Sequence, residues 1–187
     1  MGYLGEVVEF TRTVIEGKQT PEAKVDRGGG DAVTAHHFAN PGDDSQPLPT
    51  DVAYVGDDQG TGNGQILGYQ DPDTAPVAGA GEKRLYARSG AGVVACAVWL
   101  KADGTVLVSN DQGALELKAD GSVTVSNPQG SAELGSDGSV SVGNALGGIT
   151  VDAAGNVTWK TPLGTNSAGT HTHVSPFGPT GPPIPGT

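Results

Sequence analysis

Residues 100–167 read LKADGTVLVSNDQGALE (100–116), LKADGSVTVSNPQGSAE (117–133), LGSDGSVSVGNALGGIT (134–150) and VDAAGNVTWKTPLGTNS (151–167). One 17-residue pattern is written four times without a gap, the mark of a small structural unit stacked on itself. Aligning the copies sorts the side chains into columns. One holds Leu100, Leu117, Leu134 and Val151; another holds Val106, Val123, Val140 and Val157. A third holds Val108, Val125, Val142 and Trp159, and a fourth, just before each repeat start, holds Val98, Leu115, Ala132 and Ile149. All sixteen positions are apolar, while interleaved positions such as Thr105, Ser122, Ser139 and Asn156 are small or polar. This alternation predicts strands with one buried face and the interleaved residues, Thr124 among them, turned outward.

The punctuation agrees. Asp103-Gly104, Asp120-Gly121 and Asp137-Gly138, with Ala154-Gly155 in the last copy, predict tight turns that use positive φ. A second turn carries Gly113, Gly130, Gly147 and Gly164, three residues after Asn110, Asn127, Asn144 and Thr161. Each repeat is therefore two short strands and two turns. Such a meander is one layer, and its apolar face requires a second. Sixteen apolar side chains exceed what a soluble monomer leaves open, and no other stretch is equally apolar. The cover expected is other copies of the same chain, closing a β-prism or intertwined β-helix; the alternative is a single-chain solenoid.

Composition narrows the class. With 31 Gly, 13 Pro, 5% aromatics and no long helical periodicity, the 187-residue chain reads as all-β. A net charge of -11, divided into -7 over 1–99 and -4 over 100–187, argues against nucleic acid. No Lys/Arg cluster is present to hold an anionic membrane surface. The single cysteine, Cys96, sits in GVVACAVWL and reads as a small buried hydrophobe. No signal peptide and no stretch of 18 apolar residues is seen, so synthesis in a cytoplasm is expected.

Upstream of the repeats, residues 1–20 read as a first strand broken at Gly17 and Pro21. A Gly28-Gly29-Gly30 turn follows, then a short run ending at His36-His37-Phe38, whose adjacent histidines face opposite ways and chelate poorly. From 40 to 81 there are seven Asp and no basic residue, with strand islands at Asp51–Val55 and Gln65–Tyr69. Asp57-Asp58 and Asp71-Pro72-Asp73 lack the ligand spacing of an EF-hand loop and read as solvated. Two more strands, EKRLYARS and GVVACAVWL, lead into the first repeat. The expected organisation is an OB-fold-like barrel over 1–98, a shaft over 99–167 and an apex over 168–187.

In that apex, THTH places His171 and His173 two residues apart, so on an extended chain both imidazoles project to one side. Three chains would bring six imidazoles together, matching an octahedral first-row metal such as iron or nickel; two chains would give a tetrahedral set suited to zinc. Beyond Val174 the chain is Pro- and Gly-rich and cannot continue a sheet.

The join GEKRLYARSGAGVVACAVWLKADGTVLVSN, the repeats, and the terminal THTH followed by GPTGPP resemble the baseplate central-spike proteins of contractile-tailed bacteriophages, the group of P2-like and Mu-like spikes. The likeness covers nearly the whole chain and is weakest at the N-terminus. The resemblance implies a homotrimer with an OB-fold base, a β-helical shaft, and an apex where His171 and His173 of three chains bind one iron ion. Calcium or other ions within the shaft are a further expectation. It also implies a virion protein of the tail baseplate. The base would meet hub and tail-tube proteins, and the apex would meet the host outer membrane when the sheath contracts. No small-molecule substrate is implied. Spikes of related contractile injection systems or tail-like bacteriocins share this description.

Other classes fit less well. An enzyme built on the HxH pair needs further ligands, and none of the fourteen residues after His173 is His, Asp, Glu or Cys. Six imidazoles would also leave no open metal position. Peptidoglycan cleavage requires paired carboxylates in a cleft, and nothing marks such a pair. A receptor-binding fibre tip or adhesin favours aromatic apical loops, whereas this end carries Phe177 alone.

Overall fold

The computed structural model describes residues 2–38, 43–57, 64–168, 174–175 and 178–179. It is all-β, with no helix among the described residues. The chain divides into two compact units, the first formed chiefly by 1–76 and the second by 77–89 and 94–187.

In the first unit five strands form a closed barrel: β1 (Tyr3–Ile15), β2 (Lys18–Asp26), β3 (Ala32–His37), β4 (Val52–Asp57) and β5 (Gly64–Gln70). Their order around the barrel is β1-β2-β3-β5-β4, closed by β4 pairing with β1. All these pairings are antiparallel except β3 with β5. The core is small: Val7, Ala23, Val25, Ala35, Ala53, Val55 and Ile66, with Tyr3, Phe10 and Tyr69 packed against it. Alanines at three of these positions let the strands close over a narrow interior.

The expected break at Gly17 is present, but Pro21 ends no strand. The chain reverses at Glu16-Gly17, and Pro21 lies within β2, opposite Arg12. Pairing of β2 with β3 begins only at Glu22, so at Pro21 the strand has one neighbour, where a missing N–H is tolerated.

The second unit is built on a ten-stranded antiparallel meander, in which every strand pairs with its neighbours in sequence. It comprises β6 (Lys83–Arg88), β7 (Val94–Leu100), β8 (Val106–Asn110), β9 (Gly113–Leu117), β10 (Val123–Asn127), β11 (Gly130–Leu134), β12 (Val140–Asn144), β13 (Gly147–Val151), β14 (Val157–Thr161) and β15 (Gly164–Ser167). β6 and β7 belong to this sheet and not to the barrel, so the repeat sheet starts at Lys83, ahead of the boundary drawn at residue 98. The reason is continuity of the apolar face, since Leu85 pairs with Val98. Two short pieces, β16 (Val174–Ser175) and β17 (Gly178–Pro179), pair with each other.

The two turns of each repeat work differently. At the longer one Gly104 N–H donates to Lys101 O at 3.1 Å, and Gly104 takes φ +91°, a conformation that disfavours a side chain. The Asp103 carboxylate accepts the Thr105 N–H at 2.8 Å, and Asp120 and Asp137 repeat the bond to residues 122 and 139. In the fourth repeat Ala154 stands at that position, and Asp152 accepts from Ala154 N and Asn156 N instead. At the shorter turn Asn110 Oδ1 accepts from Gln112 N and Gly113 N, and Asn127 and Asn144 do the same one and two repeats on. There glycine serves close approach: a Cβ on Gly113 would lie 2.6 Å from Ser126 O, and one on Gly130 2.5 Å from Gly143 O.

Candidate functional site

The register of the meander turns the sequence columns into two rows across one face. The first runs Leu100, Val106, Leu117, Val123, Leu134, Val140, Val151, Val157, each directly opposite the next. The second runs Val98, Val108, Leu115, Val125, Ala132, Val142, Ile149, Trp159, with Leu85 extending it onto β6. All sixteen predicted positions thus share a face, as alternation along five-residue strands demands.

Within the single chain this face is poorly covered. Ile149 is 57% exposed, Val142 56%, Leu134 53% and Val125 50%. Among the described residues, the buried hydrophobic ones all lie in the barrel. A contiguous apolar face of eight strands, extended by Leu85 onto a ninth, is far larger than the scattered exposed residues of an ordinary surface.

The opposite face is not freely solvated. Its central row includes Glu116, Thr124 and Glu133, with Lys118 Nζ 3.7 Å from Glu133. Thr105 and Ser122 are buried, and the Thr124 hydroxyl is enclosed with no hydrogen-bond partner. The sequence reading of Thr124 as outward is right in direction, but neighbouring side chains crowd over it. Cys96 is also corrected: it is exposed, at the margin of the apolar face opposite Asn110. Its row passes into the Asn-Gly turn edge, where no strand covers it.

Sequence reasoning missed a polar cluster at the start of the sheet. Glu82 Oε2 accepts from Trp99 Nε1 and Gly79 N, both at 2.9 Å, and Oε1 accepts from Ala102 N. These bonds hold the Glu82 carboxyl below its ordinary range. Arg84 lies over both Tyr86 and Trp99, and Lys101 over Trp99. The β6/β7 register assembles it: Arg84 and Trp99 are cross-strand partners on the face opposite Leu85 and Val98.

The barrel histidines part company as adjacent strand residues must. His36 Nε2 lies 3.1 Å from Glu22 Oε1, whereas His37 is buried in ring contact with Phe10 and Tyr69. Burial lowers the His37 pKa, against a smaller upward pull from Asp43. Burial likewise pushes the Tyr69 phenol up to about 12. Asp71 caps its own loop, accepting from Asp73 N and Thr74 N. Among the described residues no group of three or more His, Cys, Asp or Glu could hold a metal. His171 and His173 lie outside the described residues; the last strand before them ends at Ser167.

No protein-family model and no curated protein matches the chain.

Proposed function

We propose that this chain is a homotrimeric membrane-piercing spike of a contractile tail baseplate, acting by shape and stiffness without catalytic turnover. The observation that carries the reading is the pair of unbroken apolar rows on a face the single chain leaves open. Copies of the same chain are the one surface certain to match its 17-residue spacing, since symmetric closure meets each row with itself. The barrel serves as a base of OB-fold type. Its strand order and its parallel β3/β5 pair support that reading. The repeat sheet is the shaft of a three-chain β-helix or prism.

The apex is residues 168–187, where His171 and His173 would hold one iron ion. Their donor chemistry fits: neutral imidazoles, two per chain, supply six nitrogens from three chains, and iron accepts an octahedral nitrogen set. Such an ion would tie the three chain ends together at the point of load. Calcium or other ions within the shaft belong to the same proposal.

In use, the barrel would dock on hub and tail-tube proteins of the virion. The C-terminal end would then meet the host outer membrane as the sheath drives it forward. Electron microscopy of particles carrying a tag at residue 187 tests this polarity. The tag is expected at the distal point; a tag buried against the tail tube contradicts the mechanism.

A further inference from the structure

Along its length the repeat sheet changes character at one edge. The two-residue turns are Asp111-Gln112 and Pro128-Gln129 in the first two repeats, but Ala145-Leu146 and Pro162-Leu163 in the last two. Leu146 is 70% exposed and Leu163 99%. Both stand at turn tips held by the preceding side chain, Asn144 Oδ1 accepting from Leu146 N and Thr161 Oγ1 accepting from Leu163 N.

Charge thins in the same direction. Residues 100–133 carry seven Asp, Glu or Lys; residues 134–167 carry three, Asp137, Asp152 and Lys160; residues 168–187 carry none. Asp137 and Asp152 both lie at the longer turns, on the opposite edge from the two leucines. The acidic turn residue Asp111 has no counterpart in the later repeats, where Pro128, Ala145 and Pro162 stand.

A leucine left largely in water at a turn tip of the single chain adds little to the sheet, and a charge carried into hydrocarbon is costly. Apolar tips and falling charge together fit a surface that enters lipid. We propose that the leucine-tipped turns of the last two repeats form a lipid-contacting flank, inserting Leu146 and Leu163 into the acyl boundary of a bilayer. This rests on the membrane-piercing reading and extends what meets the bilayer from the terminal residues to the side of the sheet. The chain is acidic, with only Lys160 as a nearby cation, so attraction to anionic headgroups plays no part. Zwitterionic lipid is the preferred surface.

The test is flotation of the full chain with phosphatidylcholine vesicles. Leu146→Ser with Leu163→Ser is compared with Gln112→Ser plus Gln129→Ser, and the mass of each variant is measured in parallel. Loss of two leucine contacts should weaken vesicle binding by at least about tenfold at unchanged mass. The glutamine variant should bind as the parent does, and adding phosphatidylglycerol should not strengthen binding. Equal flotation of both variants, or no flotation of the parent, overturns the lipid flank while leaving the oligomeric shaft standing. A leucine variant that loses oligomeric mass also overturns it, assigning the leucines to copy–copy contact.

Discussion

Replacing Ile149 by aspartate separates a face that another copy covers from one that water covers. Complete burial of an isoleucine is worth about 1.5–3 kcal/mol. With 57% of Ile149 still open in the single chain, about 1–2 kcal/mol of that awaits a partner. In the proposed trimer, three copies meeting at one level would forfeit about 3–5 kcal/mol in hydrophobic contact alone. Each unpaired carboxylate adds a desolvation cost of several kcal/mol, unless it takes up a proton. Ile149→Asp should therefore abolish assembly at pH 7. Acidification that neutralises the new carboxyl should restore it in part. The matched control is Thr150→Asp, one residue along, exposed and on the opposite face, where a surface substitution costs within about 0.5 kcal/mol. Light scattering and thermal unfolding read both effects. Equal losses at 149 and 150, or none at either, would refute the assignment of faces.

Three further outcomes are expected. His171→Ala with His173→Ala should remove bound metal while leaving the oligomer intact, and parent occupancy should fall below about pH 6.5 as imidazole protonates; elemental analysis decides, and metal retained in the double variant would move the site elsewhere. Asp103, Asp120, Asp137 and Asp152 all titrate below the ordinary value of 3.8, each chiefly through a bond to Thr105, Ser122, Ser139 or Asn156 within its own turn. Their folded pKa is depressed, so their contribution is complete above that ordinary value and is lost as pH falls through the lowered one. Circular dichroism should show the sheet indifferent to pH from 7 to about 5 and loosening below about 4. Gly130→Ala should destabilise by about 1–3 kcal/mol, because the new methyl would lie 2.5 Å from Gly143 O in backbone that cannot yield cheaply. Unchanged denaturant midpoints in that variant would show that the turn edge is looser than described.

The repeat sheet was legible in the sequence because its information is local. Side chains alternate along five-residue strands, turns recur at fixed offsets, and each strand pairs with the next in sequence, so columns become rows with no long-range choice to make. The barrel was legible only in pieces. Its parallel pairing of Ala35–His37 with Gly64–Ile66 joins strands separated by β4, and no local pattern announces it. Pro21 misled because its tolerance depends on where β3 stops pairing. Cys96 and Thr124 misled for a shared reason: the pattern gives the direction of a side chain, not how much of the fold stands over it. The polar cluster around Glu82 was hidden because its members lie 17 and 20 residues apart, and only the β6/β7 register brings them together.

In the proposed spike the open apolar face is closed by two further copies of the chain. Mass in solution tests it most directly. A single species at about three times the 18.7 kDa chain mass is expected, persisting on dilution until the protein unfolds. A folded monomer would contradict it outright, and a dimer would replace the six-imidazole apex with a four-imidazole one.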